Sequence, residues 1–159
     1  MSVRGSSSSV QDGRSSHPDL LSQVLRELRL DSASFRSLLL RGKWRLRFDG
    51  PLRGVHIVVS GHPYLALDDG TTRMLGPGDL VVLPRADAHT MSSSADVRGP
   101  SYSSLKLAES SADVEMIFGE GGPDTRIVCG VFFFADEDHP AVVGFPSCIH
   151  VPADAHQAQ

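Results

Sequence analysis

The sequence predicts an all-β domain, an antiparallel sandwich or barrel, on three observations. Trp44, Leu46 and Phe48 alternate with Lys43, Arg45 and Arg47, the period-two pattern of a strand with one buried face. Short apolar runs then recur, separated by tight Gly/Asp turns at the roughly 8–12-residue spacing of small β proteins. Finally, residues 78–89 read as a glycine turn, an apolar run from Leu80 to Leu83, a terminating Pro84 and a short polar loop that delivers His89 onto the next extended stretch.

Each element follows in order. Residues 1–16 are mostly Ser, Gly, Arg and other polar types, too poor in apolar surface to offset ordering entropy, and are expected to be a disordered tail. A short amphipathic helix follows. Pro18 and Asp19 suit its first turn, and Leu20, Leu21, Val24, Leu25 and Leu28 share one face opposite Ser22, Gln23, Arg26 and Glu27. Such a stripe should pack against a sheet. Strands are expected at 44–48, 55–59, 64–67, 73–75, 81–83 and 88–91, with Ser60-Gly61 and Asp68-Asp69-Gly70 as turns. Residues 92–111, rich in Ser, Gly, Pro and Ala, read as a long mobile loop, and 119–124 as a second, Gly-rich one. A strand at 114–118 lies between them. Residues 127–134 are the most apolar run and read as a strand buried on both faces. One helical turn at 139–145 and a last strand at 148–151 complete the domain, placed at 17–153, before a tail at 154–159.

A chain of 159 residues is one domain by size and needs no disulfide staple. Its two cysteines, Cys129 and Cys148, lack CxxC spacing. No signal peptide is recognisable and no apolar stretch is long enough to span a bilayer, so a cytoplasmic location is expected. A net charge of −4 speaks against a nucleic-acid-binding surface, because the arginines between Arg26 and Arg53 alternate with apolar residues as on a solvated sheet face. No Gly-x-Ser-x-Gly elbow, phosphate-binding loop or paired carboxylates mark an enzyme.

Residues 78–89 resemble the second motif of the cupin superfamily, G-x5-P-x-G-x2-H-x3-N. Gly78, Pro84 and His89 fall in register, while Ala86 replaces the second glycine and Ser93 the asparagine. From Pro18 to about Ala153 the order of segments is similar to the amino-terminal sensor domain of AraC-type transcriptional regulators. The similarity runs through the leading helix, the Trp44 strand, the segment from Gly54 to Gly61, the strand from Arg126 and the closing Phe-Pro-x-x-Ile-His-Val. The resemblance implies a cupin jelly-roll barrel that binds a small-molecule effector, forms a homodimer, and works beside DNA-reading helices. The sequence stops at Gln159 without those helices, and reads either as a fragment of a regulator or as a stand-alone cupin that does not itself touch DNA.

Catalytic cupins hold a metal with an H-x-H pair, a carboxylate and the second-motif histidine. Here only His89 occupies a ligand position, and the first motif has no H-x-H. His56 shares a strand face with Val58. If that face points inward, His56 can approach His89, and Cys129 can join them from the apolar strand. These three are the metal candidates, with zinc favoured by thiolate plus imidazole. The competing reading is a hydrogen-bonded core histidine pair beside a small buried thiol. A metal-dependent enzyme of dioxygenase or isomerase type is the alternative function. For the sensor, the expected ligand lining is Val58, Leu65, Leu83, Val131 and Phe133, with His56 and His89 as polar anchors.

Overall fold

The computed structural model describes residues 30–50, 52–97, 101–103, 115–136 and 138–156. The expected tail at 1–16 and helix at 18–28 lie outside them. Two sheets face each other. The larger contains β1 (Leu30–Arg41), β3 (Arg53–Ser60), β6 (Leu80–Leu83), β9 (Met116–Gly119), β10 (Asp124–Phe134) and β11 (Ile149–Val151), in the order β11-β6-β3-β10-β1-β9. The smaller contains β2 (Arg45–Phe48), β4 (Tyr64–Leu67), β5 (Thr72–Met74), β7 (His89–Ser92) and β8 (Ser101–Ser103), in the order β5-β4-β7-β2-β8. This two-sheet β architecture is consistent with the predicted jelly roll.

The core forms between the sheets, where period-two alternation sends every second side chain inward. Leu38 and Leu40, Trp44 and Leu46, Val58, Leu65, Val81, Leu83, Met91 and Ile127 are all essentially inaccessible to solvent. A smaller cluster joins Phe134 to Val142 and Phe145, where the single turn α1 (Pro140–Val143) closes over the end of β10. Arg53 lies beneath it, its guanidinium 5.3 Å from the Phe134 ring centre and its Nε donating to the Pro84 carbonyl.

Four expectations need correction. The strand β1 was not foreseen: Leu38, Leu39 and Leu40 are all buried, so period two is masked in the half of the strand that should reveal it. Part of the expected loop at 92–111 is strand β8, paired in parallel with β2 through Leu46 and Tyr102. The strand β10 is not buried on both faces. Thr125, Ile127 and Cys129 are buried, while Arg126 and Val128 on the opposite face are only partly covered. The expected tail from 154 begins inside a short 3-10 turn, Ala153–His156.

That turn is held by Asp79, a buried carboxylate. It accepts hydrogen bonds from the backbone N–H of Gly76 and Ala153, each at 3.0 Å, and from His150 Nε2, also at 3.0 Å. The other nitrogen of His150, Nδ1, accepts from Arg73 at 2.8 Å. Burial opposes ionisation of Asp79, but the bonds from Gly76, His150 and Ala153 outweigh it and hold the carboxyl below its usual pKa. Gly78 passes so close that an added Cβ would fall 2.8 Å from that of Ala153, and it adopts a φ of 88° that favours glycine.

The loop that places His89 carries strain. Ala86, at the position where the resemblance leads one to expect glycine, adopts a φ of 62°. A left-handed backbone with a Cβ costs about 1–2 kcal/mol.

Two outcomes follow. Ala86→Gly should raise the melting temperature by about 2–4 °C per kcal/mol of relieved strain, less the entropy glycine adds to the unfolded chain; a lower value in a thermal melt would show that the site is unstrained. Asp79→Asn should cost about 2 kcal/mol at neutral pH. A carboxyl with a depressed folded pKa stabilises above its unfolded value and loses that contribution as pH falls, so the variant should also be less acid-sensitive below about pH 4. Urea titrations from pH 7 to 3 measure both effects.

Candidate functional site

The strand register assembles the site. Across the inner face of the larger sheet, Arg36 of β1 pairs with Cys129 of β10, Cys129 with His56 of β3, and His56 with Val81 of β6. The next inward row runs Ser34, Val131, Gly54 and Leu83. From the opposite sheet, Phe48 of β2 and Leu67 of β4 flank His89 of β7 in one row. The sequence dictates much of this: His56 and Val58 share a face, and Val58 faces the core, so His56 must too.

His56 and His89 are buried, and their Nε2 atoms lie 2.7 Å apart. His56 Nδ1 is 3.0 Å from Cys129 Sγ, and His89 Nδ1 is 3.0 Å from the Asp87 carbonyl oxygen. Phe48 stacks on His89 with ring centres 4.6 Å apart and planes 5° from parallel, and it also tilts against His56 at 4.6 Å. One proton arrangement satisfies every bond. The Asp87 carbonyl only accepts, so His89 Nδ1–H donates to it and His89 Nε2 is left as an acceptor. His56 Nε2–H then donates to His89, and His56 Nδ1 accepts from the Cys129 thiol. Both imidazoles are neutral and the thiol keeps its proton.

The electrostatics agree. Burial, reinforced by His89, holds the pKa of His56 well below the usual value of 6.5, and burial lowers that of His89 to about 4. Burial likewise raises the Cys129 thiol far above its ordinary value, and the partly buried Cys148 thiol is raised for the same reason. Both cysteines are free thiols.

The three metal candidates therefore meet, but in series. Cys129 and His89 address opposite nitrogens of the His56 ring, whereas a bound ion takes one nitrogen from each imidazole and gathers its donors around one point. Among the described residues, no group of three His, Cys, Asp or Glu side chains suited to holding a metal ion is found. The donor set does not fit the cupin metal.

Beside the chain lies a cavity of about 220 Å³. Its floor is Phe48, His89 and Cys129, Val131 forms one wall, and Ser34, Arg36, Asp49 and Asp87 stand at its polar side. Gly54 also borders it. A Cβ there would meet His56, His89 and Leu83 each at an ordinary 3.6 Å, so the missing side chain leaves real space.

Of the lining expected from sequence, Val131 and His89 border this cavity. Val58, Leu65 and Leu83 are packed in the core away from it, His56 sits behind His89, and Phe133 is partly buried and not in the wall. Sequence reasoning missed Arg36, Phe48 and Gly54. Phe48 was within reach, since it continues the inward series of Trp44 and Leu46; Arg36 was hidden with β1. His62 is exposed, and His150 serves the Asp79 network.

The histidine chain sets a pH response. Unfolded imidazoles take up protons near pH 6.5, whereas burial holds His56 well below that value and His89 at about 4, so stability should fall as pH drops below 6.5. His89 alone would contribute about 3 kcal/mol to the fall. His56→Leu should cost roughly 2 kcal/mol at pH 7, by leaving the thiol and His89 unpaired, and should flatten the dependence between pH 6.5 and 4. Urea unfolding at several pH values checks this; an unchanged slope would mean that His56 titrates normally.

Comparison with known proteins places this geometry. The chain is 25% identical over 115 residues to the HTH-type transcriptional regulator AlkR of Acinetobacter baylyi (strain ATCC 33305 / BD413 / ADP1), a match that covers 63% of this chain and 37% of the relative. This chain thus spans little more than a third of that protein. Among the described residues, no helix is long and apolar enough to cross a membrane. A family model described as Cupin matches residues 19–159, the whole described β domain with the residues that lead into it, and the chain belongs to the cupin family, in the branch found in AraC-type regulators.

Proposed function

We propose that this cupin domain is the effector-sensing module of an AraC-type transcriptional regulator, cytoplasmic and homodimeric, binding a small molecule in the cavity beside Phe48 and His89. The observation that carries the reading is a space of about 220 Å³ bordered by Gly54, next to histidines whose ring nitrogens are all engaged within the protein. Kinship with a regulator supports it. The ligand is small and mostly apolar, resting on Phe48, Val131 and the His89 ring. Its polar group faces Ser34, Arg36 and Asp87, because His56 and His89 can offer nitrogen atoms only by breaking their own chain. The role is binding, without catalysis: buried neutral imidazoles and a protonated thiol supply neither a strong base nor a nucleophile near neutral pH. DNA contact belongs to another part of the regulator.

A metabolite screen by thermal shift and native mass spectrometry tests this. A true effector at one hundred times its Kd should stabilise the protein by about 2.7 kcal/mol, and Gly54→Leu, which fills the cavity, should abolish the shift while the protein remains folded. A ligand that binds Gly54→Leu as well as the parent would remove the cavity from the account. Sedimentation checks the dimer.

A further inference from the structure

One carboxylate oxygen at the polar side of the cavity lacks a donor. Asp87 borders the space, and its Oδ2 is shut off from solvent and accepts no hydrogen bond among the described residues. Arg85 Nε pairs with it at 3.7 Å, too long for a hydrogen bond. The loop that carries Asp87 is nevertheless pinned. The Asp87 carbonyl oxygen holds His89 Nδ1 at 3.0 Å, and the Ala86 N–H donates to the Leu83 carbonyl at 3.3 Å. The Ala86 carbonyl oxygen lies so near Gly50 that a Cβ there would fall 2.8 Å from it. Ala86 itself, immediately before Asp87, holds the left-handed φ of 62°. A buried acceptor without a donor forfeits hydrogen-bond energy. Held in place by strained backbone at the edge of a cavity, it marks where a donor arrives from outside.

We propose that the effector is a small amine on an apolar alkyl or aryl body, its ammonium donating to the Asp87 carboxylate. This rests on the cavity as the effector site and names the chemistry read there. The other charged groups of the lining already have partners: Asp49 accepts from Arg47 at 2.9 Å, and Arg36 Nη1 donates to the Phe35 carbonyl at 3.4 Å. An aspartate turns easily about its Cβ–Cγ bond, so either oxygen can face the cavity without moving the pinned backbone. An ammonium brings several donors and a charge-assisted bond. An alcohol brings one neutral donor, and a carboxylate would set a second acceptor against the first. The body rests on Phe48 and Val131. At about 220 Å³ the space falls below the roughly 300–1,000 Å³ typical of drug-sized ligands, which limits that body to a single ring or a short chain.

Calorimetric titration of the full chain near neutral pH tests this with two matched series. One is hexylamine, hexanol and hexanoate; the other is phenethylamine, phenethyl alcohol and phenylacetate. In the series that binds, the amine should bind roughly tenfold or more tightly than its alcohol and its carboxylate. Asp87→Asn should remove that advantage and leave the alcohol's affinity unchanged, and Gly54→Leu should abolish binding of all. An alcohol or carboxylate that binds as tightly as its amine, or an amine advantage that survives Asp87→Asn, would overturn the proposal and leave the cavity standing as the effector site. Absence of binding by both series, or equal binding to Gly54→Leu, would remove the cavity reading itself and this proposal with it. The ranking on the parent protein needs no variant, so it decides the matter even where a substitution unfolds the chain.

Discussion

The buried hydrogen bond between His56 and His89 is the constraint on which the interior depends. It links the two sheets through the buried interior: His56 hangs from β3 of the larger sheet and His89 from β7 of the smaller, and their nitrogens meet at 2.7 Å. Burying either ring alone would leave a polar atom without a partner, at a cost of roughly 1–3 kcal/mol. Burying both is tolerable because the chain is closed at its two ends, by the Cys129 thiol and by the Asp87 carbonyl. Those two anchors fix the register of β10 against β3 and the conformation of the loop that precedes β7. The strained Ala86 lies in that same loop, which suggests that the carbonyl is held where the chain needs it despite the local cost.

Much of this was legible in the sequence, for a reason that also explains what was not. Tyr64–Leu67 was anticipated at its observed bounds, and the other short strands except β8 to within one or two residues, because each carries a short apolar or alternating run bounded by turn residues. The inward direction of His56 followed from Val58. The proximity of His56, His89 and Cys129 was anticipated too, but not its geometry: spacing says which residues share a face, not which nitrogen of a ring a neighbour addresses. The missed strand β1 shows the opposite limit. Leu39 is buried although it faces outward, so three consecutive buried leucines erase the period on which the reading relied. With β1 went Ser34 and Arg36, and hence half of the cavity's polar side.

Cavity and chain are physically linked. Gly54 contributes no side chain at the point where three inward-facing residues, His56, His89 and Leu83, converge. A Cβ there would make ordinary contacts with all three, and a longer side chain would extend into the space. The same residue of β3 therefore borders both the cavity and the two imidazoles. A ligand entering this space would meet the ring faces and edges of a network whose hydrogen-bond directions are already fixed, so it would feel shape more than charge.

That fixed direction bears on what the site can do. In a metal-binding cupin the inward histidines turn their nitrogens toward one point and leave it open for an ion. Here one imidazole is spanned from both sides, by sulfur on Nδ1 and by the second imidazole on Nε2, and the ring is neutral because burial disfavours its charged form. To gather the same three groups around an ion, His56 would have to rotate away from one partner, the thiol would have to lose a proton that burial holds firmly, and Phe48 would lose its contact with both rings. Each of these steps is unfavourable, and all three are required together. The arrangement is accordingly a structural brace beside a cavity, in which the family's histidine position has been kept and its donor atoms turned to holding the two sheets together.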